Sequence, residues 1–262
     1  KLYICFMKYF MLTLIVFLFT SFNLGVNDDP YYNSKKQPSS WGIDMFVKEV
    51  QDMVIAEYEH RIDTLYDVHI YTSNLSKTSD NFVMGEFFPP DQIVITNEER
   101  YIAYEFRKMP KSKQRMTTYL DRTVKAVIFH ELTHAYFNQE VTVLKNQNKP
   151  VSSEYSFVQV YPDLGLKFGS IFIEEGICEY VVYYLNESSP LENIRIPKTE
   201  AELVNTDNYI NSMYHYSVYF LKDFLDEHGI KEGIKILVTN SPPSYKEIIK
   251  PELYFQRLKY EE

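Results

Sequence analysis

Apolar residues recur at steps of three and four along much of this chain, which is the period of a helix with one buried face. Phe46, Val50, Met53, Val54, Tyr58, Ile62 and Leu65 mark such a face and predict a helix over 41–65, with Ser39 or Ser40 as its cap. Strands are predicted over 68–72, 82–88 and 92–96, the last two joined by Pro89-Pro90-Asp91. Proline cannot donate to a ladder, which puts this hairpin at the border of its sheet. A short helix is expected over 97–109, broken by Met109-Pro110. Longer helices are expected over 114–139, 170–185, 209–228 and 230–239, with Gly229 as a C-cap, and a last amphipathic segment to Leu258. Residues 141–168 read as an insert with a loop at 145–150 and a strand at 157–161, and 186–208 as polar loop.

This order of elements predicts an α+β chain. One domain is expected over 41–262, with the sheet in 41–140 and a mostly helical part in 141–262. Residues 1–25 have a different pattern. Tyr9 to Phe22 is nearly all apolar, about 14 residues where a spanning helix needs about 20. With Lys1 and Lys8 as the only charges, this segment reads as a signal peptide, the alternative being an uncleaved anchor. Residues 26–40 are polar, hold Pro30 and Pro38, and read as a linker. The expectation is an exported domain, touching a membrane only through an uncleaved N-terminal segment.

Composition narrows the function classes. A net charge of −9 with no long basic run gives no footprint for nucleic acid. The 23 Tyr and 18 Phe suit a packed globular domain. The two cysteines, Cys5 and Cys178, are divided between the expected leader and the domain, which leaves one thiol and no disulfide. Cys178 reads as a small buried apolar residue, with a soft metal ligand as the competing role.

The candidate chemistry lies in Val127-Ile128-Phe129-His130-Glu131-Leu132-Thr133-His134-Ala135-Tyr136. Positions four apart share a helix face, so His130 and His134 can address one metal ion. Glu131 stands about 100° round the helix, where its carboxylate can reach a water without ligating the ion. That pattern points to hydrolysis with Glu131 as general base. A catalytic zinc takes three protein ligands and leaves one position open. The candidates for the third are Glu175, Glu174 and Glu140. Glu140 fills the last place of a longer H-E-x-x-H-x-x-G-x-x-H pattern, but Phe137 stands where glycine must turn the chain.

With Glu175-Gly176 on a later helix, the chain resembles the gluzincin metallopeptidases, the thermolysin- and aminopeptidase-like group. Their H-E-x-x-H is followed on a later helix by a Glu ligand, which in the aminopeptidase branch directly precedes Gly. The resemblance covers about residues 82–240. It implies a zincin-like metallopeptidase fold: a small mixed sheet with an edge strand over the active-site helix, and a helical C-terminal subdomain. It implies one zinc ion held by His130, His134 and Glu175, and a peptide or protein substrate. It implies that Glu179, one turn beyond Glu175, bonds the first histidine, although thermolysin-like members have Asp there. Tyr214, Phe220 and Gly229 match the spacing of a helix that opens on an oxyanion-stabilising tyrosine, which makes Tyr214 the donor and His215 the next choice. Neither a G-A-M-E-N motif nor an N-E-x-x-x-D motif occurs. The competing functions are a non-catalytic exported binding protein on a peptidase scaffold, and a metallohydrolase of a non-peptide amide or ester.

Overall fold

The structure is a computed structural model that describes residues 40–75, 84–109, 111–152, 155, 168–186, 194–204 and 211–260. The expected leader, most of the linker and the expected strand at 157–161 lie outside these residues.

The first helix, α1 (Ser40–Arg61), buries Ile43, Val47, Val54 and Tyr58 on one face. It stops short of the expected end at Leu65. The N–H of Ile62 still reaches the carbonyl of Tyr58, but that of Leu65 donates to the Glu59 carboxylate at 3.0 Å. Leu65 stays in the core all the same. Arg61 donates to the carbonyls of Tyr184 and Leu185 at 2.9 and 3.1 Å, satisfying groups that a helix end leaves orphaned.

Strands β1 (His69–Ser73), β2 (Gly85–Phe88) and β3 (Gln92–Thr96) form one sheet in the order β1-β3-β2. β1 runs parallel to β3 with Ile70 opposite Ile93, and β2 runs antiparallel to it with Gly85 opposite Ile95. Alternation puts Ile70, Ile93 and Ile95 into the core. Among the described residues no strand pairs with the outer side of β2.

Helix α2 (Glu99–Lys108) ends at Met109, whose extended backbone suits a residue before proline. A short 3-10 turn (Lys111–Lys113), α3 (Met116–Tyr119) and a π-helical turn (Leu120–Val124) lead into α4 (Lys125–Asn146). The expected helix over 114–139 is thus broken near its start and extended at its end. Val141 and Leu144 are buried at the helical step from Phe137, so the apolar face carries α4 on until the polar Asn146-Gln147-Asn148 stops it.

Helix α5 (Phe168–Asn186) lies against α4 and buries ten of its residues. Within the expected loop 186–208 a single turn, α6 (Glu200–Leu203), forms because Thr199 accepts from the N–H of Glu202 as an N-cap. A second π turn (Asn211–Tyr216) precedes α7 (Ser217–His228), and α8 (Ile230–Thr239) follows Gly229. The last amphipathic segment divides into two helices, α9 (Tyr245–Ile249) and α10 (Pro251–Tyr260). Ser244 and Glu247 cap α9 reciprocally, and Pro251 supplies the N-terminal turn of α10, where its missing N–H costs nothing.

The described residues are mixed α+β, mostly helical, with a small three-stranded sheet. Helix α4 lies between α5, α1, α8 and the sheet. Ile128, Phe129, Leu132, Ala135, Tyr136 and Phe137 are all buried along it, each large side chain contributing about 1.5–3 kcal/mol of burial. Among the described residues no helix is long and apolar enough to cross a membrane.

Candidate metal centre

His130 and His134 stand on one face of α4, and their Nε2 atoms are 3.1 Å apart. Across from them α5 presents four polar side chains within six residues. Glu175, Cys178 and Glu179 share a face at steps of three and four, with Glu174 beside it. Nδ1 of His130 is 2.9 Å from Oε1 of Glu179, and Nδ1 of His134 is 2.7 Å from Oε1 of Glu174. The Glu175 carboxylate reaches the other side of both rings, with Oε2 3.3 Å from Nε2 of His130 and Oε1 3.9 Å from Nε2 of His134.

An ionised carboxylate only accepts, so each Nδ1 carries the proton it donates. In the neutral rings both Nε2 lone pairs then point at each other and at Glu175. Glu175 Oε2 is buried and has no hydrogen-bond partner. Three converging lone-pair donors repel one another unless a proton or a metal ion sits among them, and this donor set fits a metal ion such as zinc.

The electrostatics follow from the crowding of carboxylates. Burial opposes a charge on His130, but the Glu175 and Glu179 carboxylates beside its two ring nitrogens and the nearby Glu131 outweigh it and lift its pKa well above the usual value. Burial likewise opposes charge on His134, and Glu174 and Glu175 lift its pKa. Burial also works against ionisation of Glu175, yet the two histidines hold its carboxyl below the ordinary range. Burial pushes the Glu174 carboxyl up, though His134 pulls the other way.

Glu131 is buried on the sheet side of α4, and burial raises its carboxyl above the usual value while His130 and His134 pull it down. It accepts from the backbone N–H of Phe87 on β2. Strand and helix can approach this closely because of Gly85. A Cβ there would lie 2.6 Å from Val127 Cγ1 and 2.9 Å from Glu131 Cγ. Gly176 has a comparable role on α5, where a Cβ would meet Leu221 and Ser217 of α7 at 2.8 Å. The glycine beside Glu175 therefore lets α7 close over the helix that carries it.

A cleft of about 390 Å³ opens beside His130 and Glu131, lined by Met84, Gly85, Ala126, Val127, Glu179, Val182 and Tyr214. Tyr214 comes from the π turn before α7, its ring 6.2 Å from that of His130. His215 is exposed and is not among the residues lining this cleft.

The other candidates are placed as follows. Glu140 lies farther along α4, where burial raises its carboxyl beside Lys235 and Lys231, and it lines a separate pocket with Asp63. The helix continues through Phe137, so Glu140 is not turned back toward the histidines. Glu174 bonds His134 Nδ1 rather than facing the Nε2 atoms. Cys178 is fully buried, and its Sγ is within 4.8 Å of a ring nitrogen of each histidine. Burial and the surrounding carboxylates push its thiol well above the usual pKa. Sequence reasoning missed the Glu174 and Phe87 contacts. The Glu-Glu doublet was a signal for the first; the second is a backbone group and leaves none.

In comparisons with known proteins, no family model, no curated protein and no solved structure matches this chain.

Proposed function

We propose that the protein is a zinc-dependent hydrolase of peptide bonds, of gluzincin type on a zincin-like fold, and that it acts after export. The observation that supports this best is the convergence of His130 Nε2, His134 Nε2 and the Glu175 carboxylate, with both Nδ1 atoms tied to carboxylates. His130, His134 and Glu175 would hold the ion. Bound zinc supplies Lewis-acid polarisation and lowers the pKa of water toward 7.

The chain's own groups account for the rest. Glu131, in the cleft with its carboxyl raised by burial, takes the proton of the attacking water and delivers it to the leaving amine. The Phe87 N–H holds that carboxylate in place. Tyr214, at the rim of the same cleft, donates to the developing oxyanion; His215, being exposed, is the weaker choice. The outer side of β2 is an unpaired strand edge among the described residues and lies beside the cleft, where an extended peptide can add as a strand. Export rests on the apolar run Tyr9 to Phe22.

The test is metal analysis combined with digestion of a degenerate peptide library by wild type, Glu131→Gln and Glu175→Ala. Wild type is expected to hold one zinc and cleave. Glu131→Gln should keep the zinc and lose about 10²–10⁴-fold in rate. Glu175→Ala should bind zinc much more weakly. Full activity in Glu131→Gln would remove the mechanism, and undiminished zinc in Glu175→Ala would remove Glu175 as a ligand.

A further inference from the structure

The roles given to Glu174, Glu175 and Glu179 leave one member of the α5 cluster without a task. Cys178 is three residues from Glu175 on the same helix face, is fully buried, and has its Sγ within 4.8 Å of a nitrogen on each histidine ring. Donors of a single tetrahedral zinc lie roughly 3.5 Å apart, given Zn–N and Zn–S bonds of about 2.1 and 2.3 Å. The Sγ therefore lies at most about 1.3 Å beyond that spacing. We propose that Cys178 is a ligand of the ion held by His130 and His134, so that the loaded centre carries a thiolate beside two imidazoles.

This inference rests on the metal-centre reading and adds to it. On binding, the thiol releases its proton to solvent and the sulfur–metal bond forms, with no change of oxidation state. With Glu175 the ion then has four protein donors, so hydrolysis requires the sulfur to give up its place to water. Cys178 therefore governs whether that position is open. A thiolate also makes the site softer, favouring cadmium over zinc relative to a purely imidazole and carboxylate site. A cysteine acting only as a small apolar filler would have neither effect.

The experiment uses cobalt(II) as probe on metal-free wild type, Cys178→Ser, Cys178→Ala and Glu175→Gln. Cys5 and Cys178 are the two cysteines of the chain, so loss of the band in both Cys178 variants assigns it to Cys178. Wild type and Glu175→Gln should show a near-ultraviolet sulfur-to-cobalt charge-transfer band at one equivalent. Both Cys178 variants should bind cobalt by its visible d–d bands without that feature. The cadmium-to-zinc affinity ratio should fall by about ten-fold or more in Cys178→Ser. Cobalt bound at one equivalent in wild type without the charge-transfer band overturns the inference and leaves the metal centre intact. Failure of folded wild type to take up any cobalt removes both. Should the Cys178 variants not fold, the wild-type and Glu175→Gln spectra decide the question alone.

Discussion

Nδ1 of His134 lies 2.7 Å from Oε1 of Glu174, the residue immediately before the proposed ligand Glu175. Such a carboxylate fixes the ring's tautomer and orientation and raises its basicity as a ligand. Glu174→Gln keeps the shape and removes the charge, and is expected to weaken zinc binding by roughly 10–100-fold. Competition against a chromophoric chelator measures this, with circular dichroism to establish that the variant is folded. An unchanged zinc affinity would reduce Glu174 to a structural neighbour.

The raised pKa values of His130 and His134 have an opposite consequence in the metal-free protein. Burial works against both charges, but the surrounding carboxylates prevail. A pKa raised on folding contributes stability that is fully present below the usual histidine value of 6.5 and is lost as pH rises through the folded values. The metal-free protein should therefore lose thermal stability as pH climbs above 6.5. Over the same range zinc affinity should rise, since the ion has to displace those protons. Calorimetry of metal-free protein and zinc titrations at several pH values check the two slopes. A metal-free melting temperature that rises through this window would contradict the assignment.

Gly85 holds β2 against α4. Alanine there puts a methyl group into Val127 and Glu131, and overpacking of this kind costs about 1–3 kcal/mol. Gly85→Ala is expected to lower the denaturant midpoint and to reduce the turnover rate, because the Phe87 N–H would move away from Glu131. At an unstrained position the same change stabilises by about 0.4–1 kcal/mol. A raised midpoint would therefore mean that strand and helix are not in this contact.

Glu247 links α9 to α10. It accepts from Arg257 Nε at 2.8 Å and from the Ser244 N–H at 2.8 Å. Burial opposes its ionisation, but these partners hold its carboxyl below the ordinary value. A depressed carboxyl contributes stability that is present above the unfolded value of 4.5 and is lost as pH falls through the lower folded one. Glu247→Gln should lower stability at neutral pH and flatten the acid loss below 4.5, which chemical denaturation at pH 3 to 7 reads out. An acid limb as steep as that of wild type would assign it to other carboxylates.

Much of the secondary structure was legible because it rests on local rules. The apolar period of α1, α4, α5, α7 and α8 is written into short windows, and Gly229 punctuates the chain by its own backbone freedom. The misplaced ends have competing local causes: the Glu59 carboxylate claims the Leu65 N–H, and Val141 with Leu144 prolongs α4. The two π turns carry no periodic signature that distinguishes them from ordinary helix.

The sequence by itself determined that His130 and His134 share a helix face and that Glu175, Cys178 and Glu179 share another, because those relations depend only on the pitch of one helix. It could not determine which faces meet. That was decided by the packing of α5 on α4 and of β2 over α4, which buries the apolar sides of each and leaves the polar residues of α5 facing the histidines. Only this packing distinguishes Glu174 on Nδ1 from Glu175 on Nε2, although the two are adjacent in the chain. It also brings Cys178 to the same histidines and the Phe87 N–H to Glu131. Contacts between elements depend on where the elements dock, and docking is set by the whole buried surface rather than by any short stretch.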